Sequence, residues 1–141
     1  MRTIINRPQL FFIALIPLLI ILGSIYKEET FEIAVFGGGI SIDFWTLSLI
    51  SCVYFMLISF NYLALKWAQK KPKKSLTILH IILQIIALIL FLYFIIQFNN
   101  PEEPTSTLQL NYLFFISFIC FFISVIIHFI NFLSSLFLKR Q

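Results

Sequence analysis

Charged residues are scarce in this chain. They make up 11% of its 141 residues, against about 25% in soluble domains. Hydrophobic residues account for 60% of the chain, and 18 of them are phenylalanine. A soluble domain of this size cannot bury so much apolar surface, so we expect lipid to surround most of the protein.

Acidic side chains are missing from the interior of every long apolar segment. The six acids all lie between segments or at a boundary: Glu28, Glu29, Glu32, Asp43, Glu102 and Glu103. Ion-coupled transport and triad hydrolysis both rely on a carboxylate near the reacting groups, and neither is supported here. No Cys-x-x-Cys motif is present, so the sequence gives no sign of thiol redox chemistry or a cysteine metal site.

What the sequence does contain is long apolar runs. Four of them have the length of a membrane-spanning helix, at residues 9–26, 43–65, 75–98 and 110–138. We therefore predict an all-α membrane protein, a four-transmembrane-helix bundle that forms one domain over residues 1–141.

Basic residues collect on one side of these segments. Nine of the ten do so: Arg2, Arg7, Lys66, Lys70, Lys71, Lys73, Lys74, Lys139 and Arg140. Short cytoplasmic loops accumulate Lys and Arg, so we expect both termini in the cytoplasm of a bacterial cell, with the protein in its cytoplasmic membrane. Lys27 is the exception. Because the basic residues flank membrane segments, anionic lipid headgroups explain the net charge of +4 better than nucleic acid, which we do not expect as a partner.

A β-prone run lies between the first two segments. Residues 30–36 are followed by Gly37, Gly38 and Gly39, and then by residues 40–42. Glycine supplies the positive φ that a tight turn needs, so we predict a small external hairpin with the glycines at its turn.

Polar residues line one face of each of the last three segments. On the fourth the spacing is three or four residues throughout, at Ser117, Cys120, Ser124, His128, Asn131 and Ser135. The third carries Thr77, His80, Gln84 and Ala87, and the second Ser48, Cys52, Ser59 and Tyr62. Small and polar faces join helices in lipid, so we expect these stripes to point inward and toward each other.

His80 and His128 also admit a sharper interpretation. Two neutral imidazoles from facing helices are what a b-type haem needs as axial ligands, and with Gln84 they could form a proton or quinone site. Counting from the helix ends at about 1.5 Å per residue, however, puts the two histidines roughly 8 Å apart in depth. A small transporter or channel lined by the stripe of the fourth segment is a further alternative.

Several features of the last hundred residues follow a familiar order. In sequence they are Ile42-Asp43-Phe44-Trp45, the basic loop 70–74, Leu79-His80, and Asn111-Tyr112 through Asn131 to Arg140. This order resembles the C-terminal part of haem–copper oxidase subunit I, and short stand-alone bacterial proteins similar to that part have the same layout. The resemblance implies a four-span membrane protein associated with a respiratory oxidase.

The resemblance does not extend to the oxidase chemistry. The His-x-His haem ligands of that family belong in the helix after the position of Asp43, and residues 45–60 contain no histidine. The copper ligands have no counterpart, and His80 matches a position that is not a metal ligand in the oxidases. We therefore expect a non-catalytic structural or accessory subunit, with a membrane-protein partner or further copies of itself. A haem- or quinone-binding protein that uses His80 and His128 is the alternative.

Overall fold

The computed structural model describes residues 7–35, 38–98 and 107–137. Within them the chain forms helices α1 (Pro8–Ile25), α2 (Phe44–Trp67), α3 (Lys74–Phe98) and α4 (Thr107–Phe137), and strands β1 (Thr30–Val35) and β2 (Gly38–Asp43). The predicted helical segments are confirmed, and each end lies within three residues of its predicted position.

All four helices in these described ranges are long and apolar enough to cross a membrane. The chain divides into two compact units, residues 1–69 and residues 70–141. The first unit contains α1, the strands and α2, and the second contains α3 and α4. Residues 99–106, which belong to the predicted connection between the third and fourth segments, lie outside the described residues, as do the terminal basic residues Arg2, Lys139 and Arg140.

In the first unit α1 and α2 run antiparallel. Near the start of α1 the Ser59 hydroxyl donates to the Gln9 carbonyl oxygen at 3.1 Å, while near its end Gly23 lies against Ser48. The ring of Phe12 is fully buried between the helices and stacks on Phe55 and Tyr62, with centroid distances of 6.0 and 5.9 Å. The polar stripe of α2 thus packs on α1, a partner that the sequence pattern did not indicate.

The antiparallel arrangement separates charge between the two ends of this unit. Arg7 precedes α1 and Lys66 lies in the last turn of α2, so both lie at one end. Glu28, Glu29 and Asp43 lie at the other end, around the hairpin.

The predicted hairpin between α1 and α2 is confirmed. Its strands pair antiparallel, from Thr30 opposite Asp43 to Val35 opposite Gly38. The position predicted for the turn is wrong in part: Gly38 and Gly39 belong to β2, because their backbones pair with β1. Gly37, the third predicted turn residue, lies outside the described residues.

Asp43 joins the hairpin to α2 and caps the start of that helix. Its carboxylate accepts hydrogen bonds at 2.7 Å from both the backbone N–H and the hydroxyl of Thr46. These bonds, the backbone bond foremost, lower the pKa of Asp43 below its usual value. The Phe44 N–H donates to the Glu29 carbonyl oxygen at 2.8 Å, which fixes how the chain enters α2.

Candidate functional site

The second unit is an antiparallel helix pair joined by buried polar side chains. On α3 these are Thr77, His80 and Gln84, and on α4 they are Ser117, Ser124, His128, Asn131 and Ser135. We call these eight residues the polar row. Outside the row, most large side chains of both helices are apolar and exposed. The predicted inward stripes of α3 and α4 are therefore present and face each other.

Cys120 belongs to the predicted stripe but not to the polar row. It is half-buried and carries a free thiol. The helical turn gives a reason: Cys120 falls between Ser117 and Ser124, both buried, but slightly to the side of the line that joins them.

Asn131 connects α4 to the start of α3. Its Oδ1 accepts from the backbone N–H of Lys73 at 2.9 Å, and its Nδ2 donates to the Thr77 hydroxyl oxygen at 2.9 Å. The Thr77 hydroxyl in turn donates to the Lys73 carbonyl oxygen at 3.1 Å. Lys73 directly precedes α3, so a side chain of α4 caps the N-terminus of α3.

The backbone carbonyl oxygen of Asn131 also accepts hydrogen bonds. The hydroxyls of Ser135 and Ser134 donate to it at 2.6 and 3.2 Å. Both serines thus satisfy their hydroxyl groups within α4, which is the usual behaviour of serine in an apolar helix.

His80 and His128 lie side by side, deeper in the helix pair than Asn131. Their ring centroids are 4.9 Å apart and the ring planes are inclined by 36°. His80 is fully buried and His128 is 6% exposed. His128 also stacks on Phe132 of its own helix, at 6.4 Å between centroids.

The predicted mismatch in depth between the two histidines is wrong. Asn131 lies level with Lys73, just before α3 begins, whereas α4 continues for six more residues to Phe137. At 1.5 Å per residue α4 therefore extends about 9 Å past the start of α3. The predicted mismatch assumes that the two helices end at the same level. Because α4 extends past the start of α3, that assumption is wrong.

Two serines complete the row on the far side of the histidines. The Ser124 hydroxyl lies 3.1 Å from Gln84 Oε1 and 3.3 Å from the carbonyl oxygen of His80. Further along, the Ser117 hydroxyl donates to the Ala87 carbonyl oxygen at 2.9 Å. The histidine pair is therefore flanked on both sides by direct hydrogen bonds between α3 and α4.

This packing does not fit a haem held between the two histidines. A porphyrin bound through both rings would have to lie between them, but the rings are already in contact. The bonds of Asn131 and Ser124 to α3 on either side would also have to open. Within the described residues no group of three or more His, Cys, Asp or Glu side chains could hold a metal ion.

The chemistry available to the pair is narrow. The described parts of α3 and α4 contain one charged residue, Lys74, and no carboxylate. No acid on these two helices is present to orient an imidazole as a general base. What this arrangement of amide, hydroxyl and imidazole groups can do is hydrogen-bond and pack.

The first unit contains contacts that the sequence pattern missed. Cys52 lies with its Sγ 3.7 Å from the Ile16 carbonyl oxygen, and Gln9 and Gly23 of α1 are both buried against α2. Gly23 could have indicated the contact between α1 and α2 from the sequence. It is the only glycine in the four helices, and helix contacts in lipid favour small residues.

Comparison with known proteins adds nothing to this geometry. No protein-family model, no curated protein and no solved structure matches the chain.

Proposed function

We propose that this protein is a multi-pass component of the bacterial cytoplasmic membrane with a structural or accessory role and no catalysis of its own. The four apolar helices support the membrane assignment. The separation of charge along the first unit supports an orientation with Arg7 and Lys66 toward the cytoplasm, and hence both termini there.

The outward faces of the helices favour an apolar environment. The exposed side chains of α2 include Leu49, Ile50, Val53, Met56, Leu57 and Phe60, and those of α4 include Phe115, Phe118, Phe122 and Phe129. Such surfaces suit lipid tails or the apolar flank of another membrane protein.

One observation carries the structural role. The buried polar side chains of α4 are used in contacts with α3 or with their own helix, as Ser117, Ser124 and Asn131 illustrate. A substrate site or a pore needs polar groups directed at a solute or at water. This row instead joins two helices, which is the expected use of polar groups in lipid.

Purification in a mild detergent tests the accessory role. We expect the full chain to elute as part of a larger assembly, with a second membrane protein or further copies of itself in fixed ratio. Replacing Asn131 by Leu should reduce the recovery of that assembly, and replacing Ser24, which bonds only to its own helix, by Ala should not. A lone chain that turns over a substrate would contradict the proposal.

The channel alternative has a direct test in the same row. A cysteine placed at Ser124 should not react with a water-soluble maleimide if the row is a packed interface. It should react readily if the row lines a wet pore. Cys52 and Cys120, the two native cysteines, are first replaced by Ala to give a silent background.

The second candidate function is a redox site at His80 and His128, for a quinone, or for a haem if the packed helix pair opens to admit it. What favours it is that two buried imidazoles meet within an apolar helix pair, since ionisable groups inside a membrane are functional candidates. The sequence resemblance to an oxidase subunit would place such a protein beside a respiratory complex.

An absorption spectrum of the purified chain, oxidised and dithionite-reduced, separates the two candidates. Sharp reduced α and Soret bands that disappear in His80→Ala or His128→Ala would favour the haem protein. A featureless spectrum, together with a normally folded His128→Leu variant, is what we expect from histidines that pack.

A further inference from the structure

A run of lysines connects the two units. Residues 66–74, which we call the lysine segment, contain five lysines and no acid. Lys66, Lys71, Lys73 and Lys74 are exposed. The salt bridge between Lys27 and Glu28 lies away from this segment.

The lysine segment borders two apolar helices. α2 ends at Trp67 and α3 begins at Lys74, and both helices are candidate membrane spans. Lysine at such a boundary can extend its ammonium group to headgroup level while its carbon chain covers apolar surface. The charges therefore lie where the phosphates of a lipid leaflet would be.

Trp67 marks the same boundary. Its side chain is 68% exposed and touches Phe60 of its own helix edge-on, at 6.2 Å between ring centroids. A tryptophan so exposed at the end of an apolar helix is typical of the membrane interface, where its ring lies among headgroups.

We propose that the lysine segment selects anionic phospholipids from the surrounding leaflet through the headgroup phosphates. The inference rests on the proposed membrane location. Charge complementarity identifies the occupant: the ammonium groups of the exposed lysines Lys66, Lys71, Lys73 and Lys74 are complementary to lipid phosphates, and Trp67 follows Lys66 directly in the chain. The backbone next to these lysines is held in place, since the Lys73 N–H is bonded to Asn131.

The chain contains an internal control. Trp45 is the second residue of α2 and Trp67 is the last, so about 33 Å of helix separates them. Trp45 lies near Asp43 and the hairpin glutamates, where the basic segment is absent. Lipid selection at Trp67 but not at Trp45 is therefore the signature of the lysine segment.

Quenching of tryptophan fluorescence by brominated lipids measures this selection. The full chain is reconstituted as Trp45→Phe or as Trp67→Phe, so that one reporter remains. Vesicles contain brominated phosphatidylglycerol or brominated phosphatidylcholine. At Trp67 we expect about a fivefold preference for phosphatidylglycerol, the effect of about one lysine per headgroup. At Trp45 we expect none.

Removing lysine charges and raising the salt concentration test the lipid preference further. Replacing Lys71, Lys73 and Lys74 by Gln should abolish the preference at Trp67, whereas Lys27→Gln should leave it intact. Salt near 1 M should also remove it, because charges are then screened within about 3 Å. Free inorganic phosphate at equal ionic strength should not compete better than chloride.

The outcomes separate the inference from the proposed function. If phosphatidylcholine quenches both tryptophans but phosphatidylglycerol has no advantage at Trp67, the protein is in the membrane and the lipid inference is wrong. A preference that survives the triple lysine variant, or that free phosphate displaces, overturns it as well. No quenching by either lipid would contradict the membrane location itself.

Discussion

Among single residues, Asn131 bonds to four groups of the second unit. Its side-chain amide bonds to the Lys73 N–H and to the Thr77 hydroxyl, while its backbone carbonyl oxygen accepts from Ser135. Both amide atoms are therefore satisfied although the side chain is 1% exposed. Satisfied polar groups contribute about 1–2 kcal/mol between helices in lipid, and orphaned ones cost as much or more.

We expect Asn131→Leu to lower the free energy of unfolding by about 1–2 kcal/mol, because the Lys73 N–H and the Thr77 hydroxyl both lose a partner. Denaturation of the purified chain in micelles measures this change. In the Asn131→Leu variant, Thr77→Val should lower the free energy of unfolding by less than it does in the unaltered chain. The coupling energy between the two positions should be at least about 0.5 kcal/mol.

Ser134→Ala supplies the matched control for this prediction. Ser134 is on the same helix, three residues away, and bonds only to the Asn131 carbonyl oxygen. We expect a change within about 0.5 kcal/mol. Equal effects of Asn131→Leu and Ser134→Ala would mean that the cap of α3 is not a stabilising contact.

For pairs of elements, α1 and α2 approach each other closely at Gly23. A Cβ added at Gly23 would lie 2.8 Å from both the Cβ and the Oγ of Ser48, and 3.1 Å from Trp45 Cε3. No real Cβ tolerates the first two distances, so the helices can lie this close only because residue 23 has no side chain.

Gly23→Ala should therefore destabilise the first unit by about 1–3 kcal/mol, the usual cost of overpacking. Adding Ser48→Gly removes the opposing Cβ and should restore much of the loss. Ser24→Ala changes the neighbouring, exposed position and should have little effect. Thermal unfolding of the four proteins checks the series, and a double variant no better than Gly23→Ala would show that Ser48 is not the obstacle.

The sequence was sufficient for some elements and not for others. Apolar length alone located the helices, and the three- and four-residue spacing located the polar faces of α3 and α4, since 3.6 residues per turn place such positions together. It could not show that Ser48, Cys52 and Ser59 pack on α1, because α1 meets them with backbone atoms and a glycine. Contacts made by backbone atoms produce no pattern of polar side chains in the sequence of α1.

The histidine pair shows a second limit. Spacing placed His80 and His128 on facing stripes correctly, but their relative depth depends on how far α4 slides along α3. That offset is set by the bonds of Asn131 to Lys73 and Thr77. A tertiary contact of this kind has no local signal in either helix.

For the whole molecule, the distribution of charge decides the orientation that we propose. Both helix pairs are antiparallel, so each brings the two ends of its unit back to the same side. Arg7 and Lys66 lie at one end of the first unit, and Lys74 opens the second. The same alternation continues, by sequence, into Lys139 and Arg140.

A reporter fused after Gln141 should therefore be active in the cytoplasm, because the basic ends stay inside. A paired alkaline phosphatase and green fluorescent protein fusion at this position measures the orientation. The control is a reporter inserted between Glu28 and Glu29, which should be active only on the outside. Phosphatase activity from the fusion at Gln141 would overturn the proposed orientation.

The bond between Lys73 and Asn131 has a consequence for synthesis of the chain. The two residues are 58 positions apart, and translation proceeds at roughly 5–20 residues per second. The start of α3 thus leaves the ribosome roughly 3 to 12 seconds before its cap exists. For that interval only water or lipid headgroups can accept the hydrogen bond of the Lys73 N–H, so the cap of α3 forms only after α4 has been made.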